Sequence, residues 1–419
     1  MKDHIFVGFG FGPIQSGLFV SEAFASGNFL KIVISEVDQP LVEAVRANNG
    51  TYFVNVARKD GIDIERIDNI EMLNPTVDSD RDKLLEYLGK ATEIVTSLPS
   101  VSFYDLGDNS VASLIACGLQ SSKVQATVVY AAENNNHAAE ILEKSVSEKS
   151  GSEFKKPVRF LNTVIGKMSQ VSKDSQEIKE KGLTAICLGI ERAFLVEEFN
   201  KILVTKCDID GFRPGIEVFL EKDDLLPFEE AKLYGHNAIH ALLAYLGAAK
   251  GYAKMTELKD DKAVMKIARD AFLNECGAAL IKKYSHLGDE LFTELGFREY
   301  AEDLLERMTN PYLSDTIARA ARDPERKLSL NDRIFGTMQL ALEYGIEPVN
   351  MAKGARAGIE FSLKHIEENK ASQNLHLCDG QKTDDTKIEQ VLSWLWKDET
   401  CSHQEKIVKY VQGASLAND

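Results

Sequence analysis

Gly8-Phe9-Gly10-Phe11-Gly12-Pro13-Ile14-Gln15-Ser16-Gly17 lies between an apolar run, Ile5 to Gly10, and a segment apolar at helical spacing, Ile14 to Ser26. Glycines at a strand-to-helix junction permit a tight turn and let backbone N–H groups approach a pyrophosphate at the helix N-terminus. The fingerprint is irregular. Gly10-x-Gly12 is followed by Gln15 where a third glycine is expected, and a count from Gly8 places Pro13 there. Such a cluster reads equally as a turn or as a phosphate cradle. The next apolar run, Leu30 to Ser35, ends at Glu36. A carboxylate there accepts hydrogen bonds from an adenosine ribose and repels a 2′-phosphate, which favours NAD over NADP. Asp38 is positioned to share that role or to cap the following helix.

Working outward, Glu93 to Ser97 and Gln125 to Ala131 are further strand candidates, alternating with helical stretches at Leu41 to Asn48 and Ala138 to Glu148. The pattern predicts an α/β fold, an N-terminal Rossmann-type parallel sheet domain over 1–205. After a polar linker and two apolar runs, Thr184 to Leu188 and Ala193 to Glu198, the pattern turns helical. Helices are expected over Glu229 to Tyr252, Asp260 to Tyr284, Asp289 to Met308, Tyr312 to Arg322, Asn331 to Tyr344, Asn350 to His365 and Thr386 to Gln412. A mostly α-helical C-terminal domain over 206–419 is expected. The polar stretch Asn369 to Lys387 reads as an exposed loop.

With 419 residues, 44% hydrophobic and 27% charged, the chain has the composition of a globular protein. It has no apolar run near the ~20 residues that span a bilayer, and its first residues leave no room for a signal peptide, so a cytoplasmic location is expected. The six cysteines form no C-x-x-C pair and are expected as reduced thiols. A formal charge of −16 opposes nucleic-acid binding. It also means that an anionic substrate needs a local basic pocket.

Glu229-Glu230-Ala231-Lys232-Leu233-Tyr234-Gly235-His236-Asn237-Ala238-Ile239-His240 sets polar groups into an apolar helix start. On an ideal helix Glu229, Lys232, Asn237 and His240 fall within an arc of about 140°, but Lys232 and His240 stand about 12 Å apart along the axis. Convergence therefore requires Lys232 to lean in from the first turn or from a break at Gly235. The alternative is a surface pair of Glu229 with Lys232 and two satisfied core polars. His236 and His240 are four apart, but no H-E-x-x-H accompanies them, and no metal is expected.

Lys232-x4-Asn237-x2-His240 after a nucleotide-binding half resembles the signature of the polyol-specific long-chain dehydrogenases, the mannitol dehydrogenase family. Thr96-Ser97 resembles the family's strand-end pair beside the cofactor, and Ala132-Glu133-Asn134 its acid followed by a substrate-binding asparagine. Asn310-Pro311-Tyr312-Leu313-Ser314-Asp315-Thr316-Ile317-Ala318-Arg319, with Arg322 to Leu328 and Asn331-Asp332-Arg333, resembles the branch that uses a hexitol phosphate. Around Asn162 to Lys167 the family's Val-Asp-Arg is replaced and its acid is lost; the glycine loop also departs from that branch.

The resemblance implies an NAD-dependent oxidation of a secondary alcohol, interconverting mannitol 1-phosphate and fructose 6-phosphate. Lys232 is then the general base, its pKa lowered by burial or a neighbouring cation. Asn134 and Asn237 donate to the developing alkoxide, His240 orients Lys232 or a substrate hydroxyl, and Glu229 relays the proton. Gly8, Gly10, Gly12, Gln15, Glu36, Thr96 and Glu133 are the expected cofactor-binding residues. Arg326, Lys327, Arg333, Lys353 and Arg356 are candidates for a substrate phosphate. The partner is a small sugar alcohol or sugar phosphate, with no membrane, and the chain is a monomer or small homo-oligomer. Two other readings stand: an unphosphorylated hexitol or hexuronate as substrate, and a non-catalytic NAD-sensing protein.

Overall fold

The computed structural model describes residues 4–369, 385–397 and 399–415. The chain divides into two compact units, Met1–Leu226 and Pro227–Asp419. The division falls beyond the expected 205 because the strands β11 (Ile202–Thr205) and β12 (Phe219–Lys222) pair with each other, which keeps the residues between them in the first unit.

In the first unit, β1 (His4–Phe9) is followed by a π-helical segment, Gln15–Val20, that continues into α1 (Ser21–Ser26). Then come β2 (Phe29–Ser35), α2 (Gln39–Ala47), β3 (Tyr52–Ala57), β4 (Ile62–Ile67), β5 (Ile70–Leu73), α3 (Asp78–Leu88) and β6 (Glu93–Thr96). Next are α4 (Val111–Gln120), β7 (Thr127–Ala131), α5 (Ala138–Ser150), β8 (Val158–Ile165), β9 (Ser169–Ser172), α6 (Ser175–Glu180) and β10 (Ala193–Glu197), which precede β11 and β12. The main sheet has eight strands in the order β12-β11-β8-β7-β6-β1-β2-β5. Its only antiparallel pairing among the described residues joins β11 to β8. Strand order reverses at β1, which β2 and β6 flank in parallel. The crevice beyond the carboxyl end of such a switch strand is where open α/β sheets bind ligands.

The expected parallel sheet is therefore present, and a second sheet accompanies it. The antiparallel β3–β4 hairpin joins β10 and β9 in the order β4-β3-β10-β9. Part of the expected polar linker is strand, β8 and β9, whereas the apolar run Thr184 to Leu188 is irregular. Polar residues lie on the partly exposed faces of these short strands, so alternation is masked. Asn55, fully buried in β3, ties the irregular run to the sheet: its Nδ2 donates to the Thr184 and Phe194 carbonyls at 2.8 and 2.9 Å.

The second unit opens within α7 (Leu226–Glu230), which runs into a π-helical turn, Ala231–Asn237, and then α8 (Ala238–Ala249). Nearly all of α8 is buried, as an apolar helix without a polar face must be. A second such break, Ala271–Gly277, separates α9 (Lys262–Asp270) from α10 (Ala278–Tyr284). They are followed by α11 (Glu294–Met308), α12 (Ile317–Ala321), α13 (Pro324–Lys327), α14 (Arg333–Glu343), α15 (Val349–Asn369), α16 (Asp385–Trp396) and α17 (Gln404–Gly413). The helix expected over Tyr312 to Arg322 is shorter, because Ser314 at φ 51° breaks the backbone before Asp315. Thr386 to Gln412 is two helices rather than one. Most of the expected loop, residues 370–384, lies outside the described residues. So does Cys378, while Cys117, Cys187, Cys207, Cys276 and Cys401 are free thiols. No described helix is long and apolar enough to cross a membrane.

Candidate active site

Lys232 lies on a π-helical turn, Ala231–Asn237, which also contains Gly235, where the sequence allowed a break. Bonds spanning five residues rather than four widen the turn and re-aim the side chains along it, a distortion common at functional sites. Gly235 sits inside it because a Cβ there would meet Phe272 at 2.9 Å; that ring belongs to the second π-helical break. Glu230 anchors the entry, accepting from Lys283 Nζ at 2.8 and 2.9 Å and from Tyr284 Oη at 2.7 Å. Glu230 is thus engaged with α10, and Glu229 is the carboxylate left beside Lys232.

Burial, opposed by Glu229 and aided by the Arg333 guanidinium, pulls the Lys232 ammonium from 10.5 down to about 8. His236 is buried, and that burial, with the charges of Arg307, Lys232 and Arg333, holds its imidazole well below its usual range. His240, half-buried on α8, places Nε2 3.2 Å from Asp315 Oδ2. Asp315 also takes both prongs of Arg319, Nε to Oδ1 at 2.6 Å and Nη2 to Oδ2 at 2.7 Å. These contacts hold its carboxyl well below the usual range despite burial.

Three of the five expected phosphate cations lie close together. Lys327 is buried, donates to the Ala320 carbonyl at 2.6 Å and is pulled down to about 7 by burial and by Arg333, Arg326 and Arg322. Arg326 Nε meets Asp323 at 2.5 Å, and Arg333 Nε meets Asp332 at 2.6 Å. Lys353 and Arg356 sit on α15, where Arg356 engages Glu360 at 3.1 Å.

In the sheet unit, Gly10 has φ +84° and a Cβ there would strike the Ser97 carbonyl at 2.9 Å, so only glycine fits. Nothing lies within 4 Å of a Cβ on Gly12, which leaves open space against the loop backbone. Gly8 and Gln15 are different. Both are buried, and a Cβ on Gly8 would overlap Gln15 Nε2 at 1.9 Å. The Gln15 amide has no hydrogen-bond partner among the described residues. Gly17 packs against the second sheet, its Cβ position 2.8 Å from Val196.

Glu36 Oε1 accepts from the N–H groups of Val37 and Asp38 at 2.8 and 3.0 Å, which fixes the carboxylate at the end of β2. Asp38 is occupied: it caps α2 through the Leu41 N–H at 3.2 Å and pairs with Arg192 at 2.8 Å. Glu133 is a buried hub that accepts from Thr96 Oγ1 at 2.9 Å, from the Leu98 N–H at 2.8 Å and from the Tyr104 hydroxyl. Burial raises its carboxyl above the usual range. Asn134, the next residue, is exposed.

Residues 224–413 match the mannitol dehydrogenase C-terminal domain family, and these bounds agree with those of the helical unit. The helical unit is similar to that C-terminal domain. A mannitol-1-phosphate 5-dehydrogenase from Thermoanaerobacter pseudethanolicus is 29% identical over 360 residues, 85% of this chain and 86% of that protein. A D-sorbitol dehydrogenase structure superposes with a TM-score of 0.75 at 15% identity, over 97% of this chain and 91% of that one. The Pseudomonas fluorescens mannitol 2-dehydrogenase, a ternary complex with NAD and D-mannitol, gives 0.67 at 17% identity, over 98% and 91%. These likenesses show the fold, a mixed α/β unit with a parallel-dominated sheet followed by a helical part.

Within the helical unit, sequence reasoning had named Lys232, His240 and Arg333 but not what connects them. Arg333 acts on Lys232 through charge, and Asp315 acts on His240 through contact. Asp315 stands in the segment Asn310 to Arg319 that carried the resemblance, so the signal was there without a role. In the sheet unit Tyr104 was missed altogether; a lone tyrosine in a loop has no sequence pattern that pairs it with a glutamate.

Proposed function

We propose that this chain is an NAD-dependent polyol dehydrogenase that interconverts mannitol 1-phosphate and fructose 6-phosphate, with Lys232 as general base. The observation that carries the reading is Lys232 held near 8 on a π-helical turn, where an amine takes a proton close to neutral pH. In the forward direction the substrate hydroxyl loses its proton to neutral Lys232 Nζ, and Glu229 passes it toward solvent. Asn237 donates an N–H group to the alkoxide, which stabilises charge that develops in the transition state.

NAD, when bound, supplies the acceptor for the hydride. The loop fits it: open space at Gly12, a close backbone approach at Gly10 and the pinned Glu36 suit a pyrophosphate followed by a ribose. Gly8 and Gln15 shape the loop from beneath. Thr96 and Glu133 stiffen the strand ends beside it.

The phosphate is supported by the name of the Thermoanaerobacter relative and by the crowding of Arg322, Arg326 and Arg333 around Lys327. An unphosphorylated substrate is favoured by a different observation, that Arg326 and Arg333 already engage Asp323 and Asp332. NADH oxidation with fructose 6-phosphate, fructose and a keto-hexuronate separates the two. Activity on the unphosphorylated sugars alone rejects the phosphate. Lys232→Ala is expected to abolish turnover while NAD binding persists; undiminished turnover would overturn the base. NAD binding with no turnover in the unsubstituted protein would instead indicate a sensor.

A further inference from the structure

Asp315 is a firmly fixed carboxylate in the helical unit. Ser314 in the left-handed region turns the chain, and the Asp315 carbonyl accepts from the Met255 N–H at 3.0 Å. Thr316 bridges to Lys254, and its Oγ1 caps α12 by accepting from the Arg319 N–H at 3.2 Å. Ile317, the next residue, packs where a Cβ on Gly247 of α8 would lie, 2.7 Å away. The backbone of Asp315 is thereby locked against α8, the helix that carries His240. Its side chain is buried and clamped by Arg319 through two hydrogen bonds.

A carboxylate accepts and cannot donate, so the 3.2 Å contact requires the proton of His240 on Nε2. Nδ1 has no hydrogen-bond partner among the described residues and, in neutral imidazole, is then an acceptor. Such an acceptor takes a hydrogen bond from a polyol hydroxyl or from the Lys232 ammonium. The opposite tautomer would present a donor and compete with Asn237 for the alkoxide.

We propose that Asp315, held by Arg319, is a positioning residue that fixes His240 as the Nε2–H tautomer and so presents Nδ1 as a hydrogen-bond acceptor. The role in turnover rests on the dehydrogenase reading above; the tautomer does not. Nitrogen-15 NMR of the unsubstituted protein, with His240 assigned through His240→Gln, reads the tautomer directly. A protonated Nε2 is expected, and a protonated Nδ1 would overturn the proposal whether or not the protein oxidises polyols.

For the acting partner, Asp315→Asn, His240→Gln and the double variant are compared for kcat and KM, with melting curves as the check on folding. Removing the carboxylate is expected to lower kcat by roughly 10- to 100-fold, the range seen when a carboxylate that orients a metal-bound histidine is lost. The double variant is expected to be no worse than His240→Gln. Additive losses would mean that Asp315 acts only by holding the fold. Should Asp315→Asn not fold, Arg319→Lys keeps the ion pair and loosens the clamp: an unchanged kcat then refutes the role of the clamp, and a reduced kcat that His240→Gln masks supports it.

Discussion

Lys232 carries opposite demands of stability and chemistry in one side chain. Its folded value of about 8 lies below the ordinary 10.5, so between those values the unfolded chain binds more protons and stability rises with pH. Below about 8 the full cost of holding a cation in that site is present. Lys232→Met is therefore expected to stabilise the protein by about 1 kcal/mol at neutral pH in urea denaturation, while removing turnover. The same shift sets the rate profile. Polyol oxidation is expected to rise with pH toward about 8 as Nζ loses its proton, and then to level, when initial rates are followed at saturating NAD. Lys232, Asn237 and His240 could be named from sequence because their pattern resembles a family signature, whereas spacing alone left a surface pair and two core polars as the alternative. Their electrostatic partners could not, because Arg333 and Asp315 are far along the chain and become neighbours only by packing.

At the scale of elements, the glycine loop and the segment after it work as one piece. Gly8 has no room for a side chain because the Gln15 amide occupies the space, and a Cβ would also meet Ile34 at 2.7 Å. Gly8→Ala is expected to destabilise by about 1–3 kcal/mol through overpacking. Adding Gln15→Ala removes the nearer clash and recovers part of that loss, as measured by urea midpoints; no recovery would mean that Ile34 alone sets the limit. The irregular fingerprint thus has a physical account. Gln15 fills the core beneath the loop, and the following Gly17 serves contact with the second sheet, so the glycines are distributed for packing as well as for a cofactor. Of the two π-helical breaks in the helical unit, the sequence offered one at Gly235 but gave no sign of the one at Ala271–Gly277. Gly235 of the first turn packs against Phe272 of the second, a contact between residues far apart in the chain.

Across the whole molecule, the division after Leu226 leads to separable behaviour. Residues 1–226 contain the complete eight-stranded sheet and the Gly10 to Glu36 loop region, so this unit made alone is expected to bind NAD, whereas residues 227–419 are not. Isothermal calorimetry on the two fragments checks this, and NAD binding only to the full chain would refute it. The net charge of −16 supplies another test. If the cations around Lys327 hold a phosphate, KM for fructose 6-phosphate rises with added salt while that for fructose does not. The alternation of apolar runs, the glycines after β1, the acid after β2 and the helical periodicity beyond residue 227 were determined by the sequence itself, because each is a local pattern with a local physical cause. The second sheet, the widened turns, the cluster around Lys327 and the Asp315–His240 contact were decided only by tertiary structure. They depend on residues distant along the chain coming within a few ångströms, and no spacing rule encodes that.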